Sequence, residues 1–309
     1  MELWQALVIG ALQGVSELFP VSSLAHTILL PYLLNWGIDQ QATNFLAFVV
    51  ALHLATAIAL LIYFWQDWRD VIMAFVGSAQ RRQLVYDRNS KFAWLLVAGT
   101  VVVGLVGLIF EKQLRKFFED PALVWLVAAF LVVNGGLMLY GEFVRRRLEN
   151  RPAEAAMSMG RAVRPFPGYN QLKTGETELK NVEDLSFVEG GLVGAAQTLA
   201  LIPGISRSGV TILGGLLAGL SHGEAARFSF MLATPVIGLA ALLKLPDLLK
   251  PEAKDILGMT VLAAILAGIT AYLSIRFLMR YFETKSLRPF GFYCIYLGLI
   301  VLIIIQIRK

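Results

Sequence analysis

Charge is scarce in this sequence. Asp, Glu, Lys and Arg make up 16% of the 309 residues, while 57% are hydrophobic. Ordinary soluble domains carry about 25% charged residues. So few charges cannot cover the surface of a soluble globule of this size, and that class is excluded. Cysteine is almost missing. Cys294 stands alone in an apolar run, so no intramolecular disulfide can form. One cysteine with three histidines is also a poor set for a structural zinc site. Met1-Glu2-Leu3-Trp4 has no basic stretch ahead of its apolar run, so no cleavable signal peptide is read. An all-α polytopic membrane protein remains. The net charge of +5 then reflects Lys and Arg gathered in cytoplasmic loops, not a nucleic-acid partner.

Six apolar stretches approach the ~20 residues a spanning helix needs: 43–65, 91–111, 121–144, 222–245, 256–276 and 287–307. Two further apolar regions are interrupted. Residues 3–35 are broken at Pro20-Val21-Ser22-Ser23, and residues 187–220 at Pro203-Gly204 and Ser206-Arg207-Ser208. Each half is too short to span and suits a re-entrant hairpin. Irregular backbone at membrane depth is tolerated only where protein or a water-filled cavity covers it. The two breaks are therefore read as the floor of a site.

The breaks also resemble each other. Ile9-Gly10-Ala11-Leu12-Gln13 matches Val193-Gly194-Ala195-Ala196-Gln197, and Leu54-Ala55-Thr56 matches Leu232-Ala233-Thr234. The chain reads as two repeats, 1–144 and 187–309, each a hairpin followed by three spans, joined by a hydrophilic loop over 145–186. Three is odd, so the repeats are inverted. Interrupted helices at matching places in inverted repeats point to a midplane site. With both termini on one side, the opposite side receives 17 of the 27 Lys and Arg residues and the terminal side 8; Arg207 and Arg227 complete the set. By the positive-inside rule both termini lie outside the cytoplasm.

Chemistry is expected at these breaks. The segment Pro203 to Thr211 starts a half-helix inside the membrane, where free N–H groups and the positive dipole end favour an anion. Hydroxyls at Ser206, Ser208 and Thr211 add to this cradle, and the Arg207 guanidinium fits phosphate oxygens. An intramembrane Arg is a functional candidate by default; its bland role is a structural ion pair, with Ser206 only capping the helix. Gln13 and Glu17, four apart, share one helix face. Such a carboxylate holds a divalent metal or handles protons, unless it only locks to Arg207. Ser22, Ser23 and His26 open the second half-helix of the first hairpin. They offer a hydroxyl nucleophile beside an imidazole base, or an imidazole nucleophile with hydroxyls on phosphate. His53, Asn134 and Thr56 read as helix–helix glue, and Gly10/Gly14 and Gly215/Gly219 as close packing contacts. Arg227 is expected to snorkel to the cytoplasmic edge, and Trp65 and Trp68 suit the interfacial belt.

Gln13-Gly14-Val15-Ser16-Glu17-Leu18-Phe19-Pro20-Val21-Ser22-Ser23-Leu24-Ala25-His26 resembles the first signature of the undecaprenyl-diphosphate phosphatases, the bacitracin-resistance family. Pro203 to Thr211 resembles the second, and Arg227-Phe228-Ser229-Phe230 also fits. Nearly the whole chain outside 145–187 is covered. The sequence departs at Ala25, where Gly is common, and at Ser16 and Leu24, where Thr is common. The resemblance implies an inner-membrane enzyme that removes the terminal phosphate of undecaprenyl diphosphate and so recycles the lipid carrier for cell-wall synthesis. It also implies two inverted repeats with re-entrant hairpins, assembled as a homodimer. Glu17 matches an acidic residue linked to metal, Mg²⁺ or Ca²⁺, and Gln13 a Glu-or-Gln position. Ser23, His26, Arg207, Ser206 and Thr211 match catalytic or phosphate-binding positions, with either Ser23 or His26 as nucleophile.

The competing class is a transporter or flippase for a polyprenyl phosphate, because inverted repeats with broken helices are transporter architecture. An acid-phosphatase-type lipid phosphatase ranks lower: neither His53 nor His222 supplies the second His that it needs after Arg207.

Overall fold

The structure, a computed structural model, describes residues 1–39, 42–118, 123–149, 179–244, 246 and 255–308. Among these residues the chain is helical, and the only β feature is an isolated bridge between Lys180 and Leu220. The helices are α1 (Leu3–Ser16), α2 (Ser23–Leu33), α3 (Thr43–Tyr63), α4 (Trp65–Arg81), α5 (Arg88–Phe118), α6 (Val124–Glu149), α7 (Phe187–Ala196), α8 (Arg207–Leu217), α9 (His222–Lys244), α10 (Leu257–Tyr281) and α11 (Arg288–Ile307). Short 3₁₀ turns occupy Val182–Asp184 and Gln197–Leu201. Helices α3, α5, α6, α9, α10 and α11 contain the six segments long and apolar enough to cross a membrane, matching the expected spans. Most of the expected 145–186 loop, residues 150–178, lies outside the described residues.

Both expected interruptions are present. α1 begins with a capping box in which Glu2 and Gln5 satisfy each other's backbone N–H groups. It ends ahead of Pro20, and α2 resumes at Ser23. α7 opens on a second capping box, with Ser186 N–H donating to Glu189 Oε2 at 2.7 Å and Glu189 N–H to Ser186 Oγ at 3.2 Å. The chain then tightens into the 3₁₀ turn, breaks at Pro203-Gly204 and restarts at Arg207. Gly204 is required here. Its φ is +107°, and a Cβ would lie 2.6 Å from the Val127 carbonyl oxygen of α6.

Lipid tails are as apolar as Leu, so these helices associate through close packing rather than hydrophobic burial. α1 lies on α10, where a Cβ on Gly10 would stand 2.5 Å from Ala263 O and one on Gly14 2.2 Å from Ala267 O. α7 lies on α5, where a Cβ on Gly194 would stand 2.3 Å from Gly99 Cα. Thus Gly10 and Gly194, matched in the sequence, make corresponding crossings: the first helix of each half packs on a long helix of the other half. α3 packs on α9, and α6 on α11. Gly215 meets Ala225 as a packing glycine. Gly219 turns the chain between α8 and α9 at φ +97°.

Large apolar side chains such as Leu108, Leu243 and Ile303 face outward, while Gln13, Glu17, Asn134, Glu142, Glu189 and Gln197 are buried. One end of the molecule gathers several ion pairs. Arg227 Nη2 meets Asp67 Oδ1 at 2.7 Å, and its Nη1 faces Glu183 and Glu224. Arg227 therefore ties α9 to α4 and the 182–184 turn. Nearby loops are held by Glu142 Oε1, which accepts from His222 Nε2 at 2.6 Å and Leu287 N–H at 2.8 Å. At the other end, Trp4 packs edge-on to Trp36, and Arg308 donates to the Tyr32 and Leu33 carbonyls.

Candidate functional site

The two breaks meet. Asn134 of α6 stands between them: its Oδ1 accepts the Ser206 N–H at 3.0 Å, and its Nδ2 donates to the Pro20 carbonyl at 3.2 Å. Ser208 Oγ donates to the Phe19 carbonyl at 3.1 Å, a second tie across the same joint. Without these bonds, backbone groups of two irregular segments would be buried unpaired. Asn134 is glue, as expected, but it joins the two breaks themselves. On its other side Cys294 of α11 packs 3.4 Å from Asn134 Nδ2.

Glu17 is the hub. Its Oε1 accepts from Arg207 Nη2 at 2.6 Å. Its Oε2 accepts from Ser23 Oγ at 2.5 Å and from Gln13 Nε2 at 2.9 Å, and it faces His53 Nε2 at 3.4 Å. The i,i+4 spacing does place Gln13 and Glu17 on one face. Six residues on, the turn at Pro20 folds Ser23 back onto the same carboxylate. The turn carries strain at Ser22, whose φ is +65°.

The sequence suggests only helix–helix glue for His53, yet it borders this carboxylate. No local signal marks it, because α3 is a plain apolar helix and only the fold brings His53 to Glu17. Its Nδ1 lies 2.8 Å from the Val49 carbonyl. His26 is buried beside Ser23. Its Nδ1 lies 2.8 Å from the Ser22 carbonyl and its Nε2 2.8 Å from the Tyr293 hydroxyl. Tyr293 carries no local signal for the same reason as His53.

The hydroxyls of the second break have partners inside the protein. Ser206 Oγ accepts the Gly209 N–H at 3.2 Å and so caps α8; it also lies 3.1 Å from Ser208 Oγ. Thr211 Oγ1 donates back to the Arg207 carbonyl at 2.7 Å. Ser206, Ser208 and Thr211 thus build the half-helix start, and Arg207 is the group of this segment that reaches Glu17.

Two buried atoms beside Glu17 have no partner among the described residues: Arg207 Nη1 and Gln13 Oε1. One is a cationic donor and the other a neutral acceptor. A buried polar group without a partner costs roughly 1–3 kcal/mol. An anion answers the first and a cation or a donor the second. Among the described residues no three His, Cys, Asp or Glu side chains cluster as a protein-only metal cage.

Comparison with known proteins adds a family. The chain matches the family described as bacitracin resistance protein BacA over residues 6–300. It is 44% identical to a protein of Frankia alni named undecaprenyl-diphosphatase 2, over 95% of each chain. It is 43% identical to the undecaprenyl-diphosphatase of Mycolicibacterium paratuberculosis, over 95% of this chain and 94% of that one. It is 41% identical to undecaprenyl-diphosphatase 2 of Chromobacterium violaceum, over 98% and 99% of the two chains. The likeness runs through both breaks and all six apolar helices, and the chain belongs to the bacitracin resistance protein BacA family.

Proposed function

We propose that this multi-pass membrane protein is a phosphatase that hydrolyses undecaprenyl diphosphate to undecaprenyl phosphate and inorganic phosphate. The observation that carries the reading is Arg207. It is a largely buried guanidinium at the meeting point of two broken helices, paired with Glu17 through one nitrogen and, among the described residues, without a partner at the other. The terminal phosphate fills that vacancy, and the fork stabilises charge developing on its oxygens. Ser206, Ser208 and Thr211 hold the half-helix that aims Arg207, and we assign their hydroxyls, with that of Ser22, to the phosphate-binding set.

Ser23 and His26 are the two candidate nucleophiles. The 2.5 Å bond from Ser23 to Glu17 Oε2 favours Ser23. Its oxygen attacks the terminal phosphorus and its proton passes to Glu17. The bond to the bridging oxygen then breaks, and undecaprenyl phosphate leaves. Water later frees phosphate from the seryl ester. A divalent metal, Mg²⁺ or Ca²⁺, fits the donor set. Gln13 Oε1 is an oxygen in want of a partner and Glu17 adds a carboxylate, and Mg²⁺ commonly takes one or two protein ligands plus substrate phosphates. Bound there, the ion supplies charge neutralisation to the diphosphate.

The architecture proposed with this activity is two inverted repeats, 1–144 and 187–309, each a re-entrant hairpin with three spans. The corresponding crossings α1 on α10 and α7 on α5 support it. The ion pairs that collect residues 67, 142, 183, 222, 224 and 227 at one end, and the contacts of Trp4 and Arg308 at the other, support the side assignment. We place the protein in the bacterial inner membrane with both termini outside the cytoplasm, as a homodimer.

Phosphate release from undecaprenyl diphosphate in detergent, with and without chelator, tests the activity and separates it from transport. Arg207→Ala and Glu17→Ala are expected to lose at least about a hundredfold in turnover, the scale for removing a transition-state donor. Near-wild-type turnover in both folded variants would overturn the site.

A further inference from the structure

We propose that Tyr293 is a positioning residue of this site, a latch on His26 that the incoming phosphate displaces. The inference rests on the phosphatase reading and adds a residue to it. The geometry at His26 leaves little freedom. A carbonyl oxygen only accepts, so the 2.8 Å contact with Ser22 O requires a proton on Nδ1. In the neutral ring the one remaining lone pair is then on Nε2, and the Tyr293 hydroxyl lies 2.8 Å from it. An O–H donated there occupies the atom through which His26 would attack phosphorus, take a proton or bind a phosphate hydroxyl.

Both partners are held in register. Ser22 is fixed at φ +65° in the turn. Cys294, next to Tyr293, is buried against Asn134 and the Pro20 carbonyl, which pins that stretch of α11 to the joint. The two rings lie parallel within 3°, with centroids 5.7 Å apart. Their exposure differs sharply: His26 is 7% exposed and Tyr293 45%. Tyr293 thus lies outside His26, on the exposed side of the contact. A headgroup entering from the membrane side reaches the tyrosine first and must take its place on Nε2.

The test uses purified full-length protein in detergent. Diethyl pyrocarbonate reacts with an imidazole nitrogen that has a free lone pair, and peptide mass spectrometry reads His26, His53 and His222 separately. In Tyr293→Phe, His26 labelling is expected to accelerate roughly two- to tenfold, the weight of one neutral hydrogen bond. His53 and His222 rates, unchanged, report an intact fold. With undecaprenyl diphosphate, KM is expected to fall by a similar factor at constant kcat, because the substrate no longer competes with the hydroxyl. Should Tyr293→Phe not fold, Tyr293→Met removes the same hydroxyl and fills the space. Unchanged His26 labelling in a folded variant overturns the latch. So does a fall in kcat at constant KM, which would put the tyrosine on the reacting phosphate. Failure of the phosphatase reading appears elsewhere, as no phosphate release by the wild-type protein, and leaves the labelling result standing.

Discussion

A buried carboxylate with one cationic partner and three further polar neighbours is stable only as a set. Removing one member of a buried ion pair leaves an uncompensated charge and costs roughly 3–5 kcal/mol, whereas replacing both with apolar groups is often neutral. Glu17→Leu and Arg207→Leu are each expected to lower the thermal unfolding midpoint in detergent, and the double variant is expected to regain much of the loss. Additive losses would show that the pair is not the stabilising unit. Gln13 is a different case because its Oε1 has no partner among the described residues. Gln13→Leu is expected to raise the divalent-ion concentration for half-maximal phosphate release about tenfold, equivalent to ~1.4 kcal/mol. Activity indifferent to chelator in the wild type would remove the metal from the proposal. Ser23 and His26 are separated by their alanine variants. If Ser23 attacks, only Ser23→Ala abolishes a phosphoryl-enzyme trapped by acid quench.

Among elements, the joint between the breaks depends on small and amide side chains. Asn134→Leu leaves the Ser206 N–H and the Pro20 carbonyl buried without their partner, at roughly 1–3 kcal/mol each. The expected result is a lower unfolding midpoint together with reduced turnover, since Arg207 and Glu17 come from opposite sides of that joint. Gly194→Val would drive a side chain into the Gly99 backbone and is expected to prevent α7 from docking on α5, read as loss of monodisperse folded protein. The α4 helix illustrates what local pattern leaves out. Its stretch is rich in charge, and the sequence suggests only that Trp65 and Trp68 suit the interfacial belt. In the structure it is helical through Arg81 because Val71, Ala74 and Ser78 bury against α5, where Trp94 Nε1 donates to Ser78 Oγ at 3.1 Å. Trp65, Ile72 and Met73 remain exposed, as suits a helix lying at an interface.

For the whole molecule, the distribution of Lys and Arg and the pairing of ends make one topological prediction. In a Cys294→Ser background, Arg308→Cys is expected to react with a membrane-impermeant thiol reagent from outside intact spheroplasts. Arg82→Cys is expected to react only after lysis. The reverse pattern would invert the proposed orientation while leaving the site geometry untouched.

The sequence by itself determined the membrane class, the six spans and the two interruptions. Those depend on run length, on Pro and Gly, and on the absence of charge, all of which are local. It also pointed to Glu17 and Arg207, because charge in so apolar a chain is costly and therefore informative. Only the tertiary structure decided that these two residues meet, and that His53, Asn134 and Tyr293 join them. Those three sit in helices whose own pattern is simply apolar, and their roles depend on which helix faces which. That choice is made by close contacts such as Gly10 on Ala263 and Gly194 on Gly99, where distant parts of the chain approach at a distance only small residues allow.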